Sequence, residues 1–373
     1  MSTENFFEHQ TLESRVKTGI VTDFFATWIN IVGAKSNGPL AYMELFAGPG
    51  VFDDGTKSTP ILIAEHVLAD AARRQRVMLV LNEKDSRFAD RLESNIKALD
   101  GYELLRHEPV LLRKEVGTDH QLFLKQISGI PAVIFVDPWG YKGVSLKLFA
   151  DYIRDGWGRD GLFFFNYLRI NAGLSNSEPS IHAHMQRMFG DERADELRER
   201  LRFLSPHQRE PIVLDAMTTA LKAAGIKYVH RFNFSKRNDH LFFITMHPKG
   251  LQAIKGVMKK WSSVDSEGVP LFSTQAIPEP PAQQSFAMFH AETELEKLRR
   301  DLLLKFAGRT VSFDEMFIEH HPDTRCIEAN YREVLRQLED ERLISVLVPP
   351  GTTRRAGTYG KRIRIIFPKN GGK

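Results

Sequence analysis

Residues 44–50 read Glu-Leu-Phe-Ala-Gly-Pro-Gly and close a short apolar run, 40–46. Glycines at the end of such a run let the backbone turn sharply and approach a ligand closely, because they lack Cβ and tolerate positive φ. Neither the third glycine of G-x-G-x-x-G nor the Gly-Lys-Ser/Thr of a phosphate loop follows. About forty residues on, Glu83 closes a second apolar run, 77–81, with Lys84 beside it. A carboxylate there can accept two hydrogen bonds from ribose hydroxyls. Glu115 closes a third, weaker run and is a candidate for the base side of the same ligand. Asp137 closes the fourth run, 132–136, and Pro138 and Trp139 follow. An Asp side chain and a proline carbonyl can take hydrogen bonds from an exocyclic amine, localising its lone pair, while an aromatic ring stacks the base. The plain structural alternatives are a tight turn at Gly48 and Gly50, a helix cap at Glu83, and an Asp-Pro turn with Trp139 as packing.

The elements that must position these residues alternate. Apolar residues Leu12, Val16, Ile20, Phe24, Trp28 and Ile31 recur at steps of three or four, which predicts a helix over 12–32. Strands are predicted over 40–46, 77–81, 110–116, 132–136 and 162–165. Helices follow over 60–74, the first with Thr59 as N-cap and Pro60 at its first position, then over 87–99, 119–127 and 145–154. Such alternation implies a mostly parallel sheet with right-handed crossovers. A charged helical insertion covers about 177–224. A hairpin over 227–234 and 240–247 and a helix over 249–261 complete a first domain, 1–263. Four prolines and many small polar residues mark 264–290 as a linker.

Residues 291–373 read as three helices and a β-wing, a winged helix. The helices run over 295–306, from Phe313 after Ser312, and from Thr324 to 341. The wing strands are 344–348 and 362–367. From residue 345 onward lie seven of the 51 Lys and Arg and no acidic residue, so the rest of the chain holds fewer bases than its 47 acids. That asymmetry points to an anionic partner, nucleic acid first, with a solvated edge hairpin as the alternative. The third helix offers Arg325, Asn330, Arg332 and Arg336 outward, and the wing region Arg354, Arg355, Lys361 and Arg362. Such residues mainly meet phosphates. Protein docking is the other use of a winged helix.

The pattern acidic-x-Phe-x-Gly-x-Gly resembles motif I of class I S-adenosylmethionine (SAM)-dependent methyltransferases. The resemblance implies a Rossmann-like α/β fold. It also implies SAM held by Glu44, Phe46, Ala47, Gly48, Pro49, Gly50, Glu83, Lys84 and Glu115, with Asp137, Pro138 and Trp139 presenting the acceptor. Amino-methyltransferases of nucleic acid bases carry Asp/Asn-Pro-Pro-aromatic at the fourth strand. Here Trp139 stands in place of the second proline and Gly140 in place of the aromatic. Nearly the whole chain resembles the three-Cys-motif partner protein family, through 46–50, 136–140, 247–251 leading into Val257-Met-Lys-Lys, Leu335-x-x-Leu338-Glu339 and Gly357-Thr-Tyr359. That family implies bacterial proteins often encoded beside a phage-type protein with three cysteines.

One cysteine, Cys326, excludes an internal disulfide and any Cys-based metal cluster within the chain, and reads as a reducing, cytoplasmic setting. No histidine pair has helical ligand spacing, so no metal is expected. No apolar run approaches the length of a membrane span, and residues 1–10 do not read as a secretory signal. Two functions are expected to compete. The first is a SAM-dependent methyltransferase acting on RNA or DNA with a protein partner. The second is a nucleic-acid-binding scaffold of the same fold that transfers nothing.

Overall fold

The structure is a computed structural model that describes residues 11–117, 120–138, 145–234, 238–274, 292–351 and 353–369, without the side chains of residues 120 and 121. Trp139 and Gly140 lie outside the described residues, as does most of the stretch read as a linker. The chain divides into two compact units, Met1–Val257 and Met258–Lys373.

In the first unit, helix α1 (Leu12–Gly33) starts where the Thr11 hydroxyl accepts the Ser14 N–H at 3.1 Å. It buries Ile20, Val21, Phe24, Phe25 and Trp28 almost completely. Strands β1 (Leu40–Glu44), β2 (Val77–Asn82) and β4 (Ala132–Val136) are buried nearly throughout. Continuous apolar strands of this kind are covered on both faces, as parallel sheets are. With β3 (Val110–Leu112), β5 (Asp160–Asn166), β6 (Tyr228–Phe234) and β7 (Asp239–Thr245) they form one seven-stranded sheet, ordered β3-β2-β1-β4-β5-β7-β6. The first five strands in that order run parallel, and β7 is antiparallel to both neighbours. This is the mostly parallel, Rossmann-like sheet expected from the alternation of strands and helices. Its order reverses between β1 and β4, and ligands of open α/β sheets bind beyond the carboxyl ends of the strands at that point.

The crossovers carry α2 (Thr59–Leu68), α3 (Ala71–Arg74), α4 (Ser86–Lys97), α5 (His120–Gln126) and α6 (Leu146–Arg154). Ser58, not Thr59, is the N-cap residue of α2, and β3 ends at Leu112, short of the predicted 116. Helix α7 (Tyr167–Leu174) was not foreseen; it is started by Asn166, whose side chain accepts the Arg169 N–H at 2.9 Å. The predicted helical insertion is α8 (Pro179–Phe189), α9 (Asp191–Leu201) and α10 (Pro206–Ala223). Helix α11 (Pro248–Lys260) follows β7.

The second unit contains α12 (Glu294–Lys305), β8 (Thr310–Val311), α13 (Phe313–His320), α14 (Glu328–Asp340), β9 (Ser345–Leu347) and β10 (Arg364–Ile366), with the strands ordered β8-β10-β9. Leu298, Leu302, Met316, Tyr331, Leu335 and Leu338 build its core, a winged helix. Val269 is buried in the same core, and Val264 bridges Pro270. The opening of the stretch read as a linker is therefore folded structure of this unit. The third helix starts at Glu328 rather than after Thr324. Asn330 does not face outward as expected: it is buried, and its side-chain oxygen accepts the Ile327 N–H at 3.0 Å, a capping bond that orphan helix donors require.

Candidate functional site

The segment after β1 turns through two residues at positive φ, Gly48 (64°) and Gly50 (82°). At Gly50 a Cβ would come within 2.9 Å of Leu92 and 3.1 Å of Ile61, so the loop lies directly on α4 and α2. Ala47 and Pro49 are buried, and Phe46 is half-buried against the core.

Glu83 fastens this loop. Its Oε2 accepts the Gly48 N–H at 2.9 Å, and its Oε1 accepts the Asp85 N–H at 2.9 Å. Burial pushes the Glu83 carboxyl upward, and those backbone donors pull it back. Each carboxylate oxygen can accept a second bond, so the group still has capacity for a ligand hydroxyl. Two asparagines that the sequence reading passed over complete the framework. Buried Asn82 donates to the carbonyls of Leu45 (2.9 Å) and Lys114 (3.1 Å) and accepts the Lys114 N–H (3.0 Å), tying together the segments after β1, β2 and β3. Asn95 of α4 donates to the Pro49 carbonyl at 2.9 Å. Lys84 and Glu115 meet as an ion pair at 2.8 Å, both more than half exposed. A surface pair of this kind adds little stability, about 0–1 kcal/mol.

At the switch point itself the decisive group is Lys17 of α1. Its ammonium pairs with Asp137 Oδ2 and lies 4.4 Å from the centre of the Phe164 ring on β5. The side chains of Lys17 and Asp137 are 11% and 23% exposed. Pro138, next in the chain, is buried. Glu44 is buried near them and accepts the Tyr42 hydroxyl at 2.7 Å. Burial drives the Glu44 carboxyl well above its ordinary range; the Tyr42 hydrogen bond and Lys17 oppose this, and Asp137 and Glu83 add to it. Glu44 is thus 3% exposed beside this pair. Lys17 carried a readable signal: Lys17, Val21, Phe24 and Trp28 are spaced four, three and four apart, which puts a lysine in line with an apolar stripe.

The structure brings together Lys17, Glu44, Gly48, Glu83 and Asp137 around the ends of three neighbouring strands. The set offers backbone donors, carboxylates with spare acceptor capacity and one buried cation. Those are the groups that a nucleoside joined to an amino acid, the chemical outline of SAM, needs for its ribose and charged ends. Among the described residues no cluster of three or more His, Cys, Asp or Glu side chains is placed to hold a metal ion.

The basic residues of the second unit separate into two groups. Arg325 pairs with Asp265 (3.5 Å) and Glu294 (3.3 Å). Arg332 pairs with Glu328 (2.6 Å) and covers the Phe313 ring, and Arg336 pairs with Glu333 (2.7 Å) and Asp340 (3.6 Å). Arg354 forms a two-pronged bond to Glu339, each contact 2.6 Å, while Tyr359 donates to the same carboxylate. Arg355, Lys361 and Arg362 are exposed and form no ion pair among the described residues.

Residues 274–351 match the family model described as a GMT-like wHTH domain. Among solved structures, the chain is similar to the N-terminal domain of human METTL16 in complex with SAH, at 9% identity over 60% of this chain and 69% of that one, TM-score 0.31. It is similar to the fibrillarin/Nop5p complex at 9% identity over 56% and 74%, TM-score 0.32. A Legionella pneumophila protein aligns at 12% identity over 64% and 89%, TM-score 0.34. No curated protein matches the chain in sequence. Among the described residues no helix is long and apolar enough to cross a membrane.

Proposed function

We propose that this chain is a SAM-dependent methyltransferase acting on nucleic acid together with a protein partner. The observation that carries the reading is the glycine loop fastened to Glu83 beside the Lys17–Asp137 pair at the switch point. Gly48, Gly50 and Glu83 would hold the cofactor, with Phe46, Ala47 and Pro49 shaping the loop and Lys84 and Glu115 at its rim. SAM supplies an electrophilic methyl group on a sulfonium. Lys17 holds Asp137 in one orientation through Oδ2, which leaves Oδ1 to accept a proton-bearing acceptor group. Pro138 offers its carbonyl, and Trp139, outside the described residues, is the proposed stacking ring. Transfer is a displacement, so these groups would act by positioning and by stabilising charge.

The winged helix would carry the nucleic acid. Arg355, Lys361 and Arg362 are its best phosphate contacts, because Arg325, Arg332, Arg336 and Arg354 already meet carboxylates. The resemblance to the three-Cys-motif partner family supports a protein partner, and one buried cysteine is consistent with work in a reducing cytoplasm.

Calorimetric titration of SAM and S-adenosylhomocysteine tests the cofactor. Wild type is expected to bind and Gly48→Val not to, because a β-branched residue at φ 64° is strained and its side chain fills the ligand space. No binding by wild type at millimolar ligand removes the proposal. Changing Arg355, Lys361 and Arg362 together to Gln is expected to lower the slope of log affinity against log salt by about 3. An unchanged slope would assign the winged helix to protein docking. A second reading, a scaffold without transfer, is favoured by the engagement of Asp137 with Lys17. Asp137→Ala separates the two: it should leave SAM affinity within a few-fold and lower transfer roughly 10²-fold. Wild type that binds SAM yet transfers no methyl group to RNA or DNA, with cell extract present, supports the scaffold.

A further inference from the structure

A second cleft lies at the opposite edge of the same sheet. The later half of α1, residues 156–159, the end of β7 and the first turns of α11 line a cavity of about 140 Å³ that opens to solvent at its mouth. Phe24, Trp28, Ile31 and Trp157 form apolar walls. Trp28 is 2% exposed and its indole N–H is buried without an acceptor, while Trp157 is 56% exposed.

The inner surface is polar. Asp160, the first residue of β5, is buried and pairs across the sheet with Thr245, whose hydroxyl bonds to it. Gly250 lets α11 approach this pair: a Cβ there would meet Thr245 Oγ1 at 2.7 Å. No ion pair to Asp160 forms among the described residues, and burial raises its carboxyl to about 7. The mouth is cationic. Lys35, His247 and Lys249 are exposed there, and burial together with Lys35, Lys249 and Lys227 holds the His247 imidazole below its ordinary value.

These features select among ligands. A purely apolar molecule would bring no acceptor to the Trp28 N–H and no donor to Asp160 beyond the Thr245 hydroxyl. A simple aromatic anion suits the mouth but brings no donor to Asp160. A heteroaromatic ring with N–H donors and ring acceptors, joined to an anion, satisfies all three parts. We infer that this cleft binds a nucleotide, its base against Trp157, its N–H edge toward Asp160 and its phosphate at Lys35 and Lys249. The same chemistry is met by a free mononucleotide or by the terminal nucleotide of a nucleic acid. The inference does not depend on the methyltransferase reading, because none of these residues lies at the glycine-loop edge.

Calorimetry on the full chain tests it, with the four nucleoside 5′-monophosphates, the matching nucleosides and a 5′-phosphorylated trinucleotide. At least one monophosphate is expected to bind at submillimolar concentration and its nucleoside about tenfold more weakly. Trp157→Ala should weaken binding about tenfold through lost stacking. That side chain is mostly exposed, so an unchanged melting temperature is expected and checks the fold. Lys35→Gln with Lys249→Gln should bring the monophosphate down to the affinity of the nucleoside, and Gly48→Val should change nothing. A trinucleotide that binds more tightly assigns the cleft to a chain end; equal affinity assigns it to a free nucleotide. The inference is overturned by no nucleotide binding at 5 mM, by benzoate binding as well as the nucleotides, or by binding that survives Trp157→Ala and disappears in Gly48→Val.

Discussion

The two edges of the seven-stranded sheet each hold a carboxyl group and treat it differently. At the carboxyl edge Asp137 is given a cation, Lys17, carried in from α1. At the amino edge Asp160 receives a hydroxyl, Thr245, and its carboxyl rises to about 7 under burial. Charging a buried acid costs several kcal/mol unless something compensates. The first edge compensates with an opposite charge and so can keep an acceptor group at a fixed place. The second leaves the acid close to its protonated form and available to a ligand. One helix serves both, Lys17 near its start and Trp28 toward its end.

The largest way to break this contrast is to remove the cation. Lys17→Met leaves Asp137 partly buried without its partner and is expected to cost about 3–5 kcal/mol of unfolding free energy. Lys17→Met with Asp137→Asn should recover most of that loss, since no uncompensated charge remains. Urea unfolding of the two single variants and the double variant measures the coupling. Additive losses would mean that the pair contributes nothing specific and that the two edges differ less than their geometry says.

The next effect sharpens the other side. Asp160 has a folded value of about 7 against an ordinary value of 3.8. A carboxyl raised on folding favours the folded state at low pH, and that contribution is lost as pH climbs through the folded value. The full difference corresponds to roughly 4 kcal/mol. Asp160→Asn cannot ionise, so its stability relative to wild type should improve as pH rises from about 4 to about 7, most steeply at about pH 5–6, and level off above that. Melting temperatures of both proteins across that range check it. Parallel curves would mean that folding does not raise the Asp160 carboxyl.

How far each edge was legible follows from how it is built. Glu83 and Asp137 each close an apolar run, and Gly48 and Gly50 follow another, so one pass along the chain finds them. Lys17 belongs to a different element and had to be seen as an interruption of an apolar stripe. The amino-edge cleft joins α1, the loop before β5, the end of β7 and α11, which are far apart in sequence, and no local pattern announces it. In the winged helix the apolar face of α14 was readable through Tyr331, Val334, Leu335 and Leu338. The outward reading of Asn330 failed because an asparagine near a helix start serves the cap when its side chain can reach back to the preceding turn. The arginine list could not separate paired from unpaired charges: Glu339 claims Arg354 across fifteen residues, and nothing in the local sequence marks that pairing.

The smallest effect concerns Glu83, where framework and ligand roles share one carboxylate. Glu83→Gln keeps the shape and one acceptor oxygen but turns the other into an N–H₂ group. One of the N–H groups of Gly48 and Asp85 then faces a donor instead of an acceptor. The lost bond should cost about 1 kcal/mol of stability, and the substitution also removes the burial penalty that raises this carboxyl, which offsets part of it. If Glu83 only fastens the loop, S-adenosylhomocysteine affinity should fall by no more than that same amount, about fivefold. If its remaining lone pairs also receive ribose hydroxyls, the charge-assisted bonds are lost as well, and each is worth about twice a neutral one. Affinity should then fall about a hundredfold while stability barely moves. Calorimetry and thermal melting on the same variant give the two numbers. A fall in affinity that matches the fall in stability would reduce Glu83 to a loop tether and leave the glycine turn to hold the nucleoside alone.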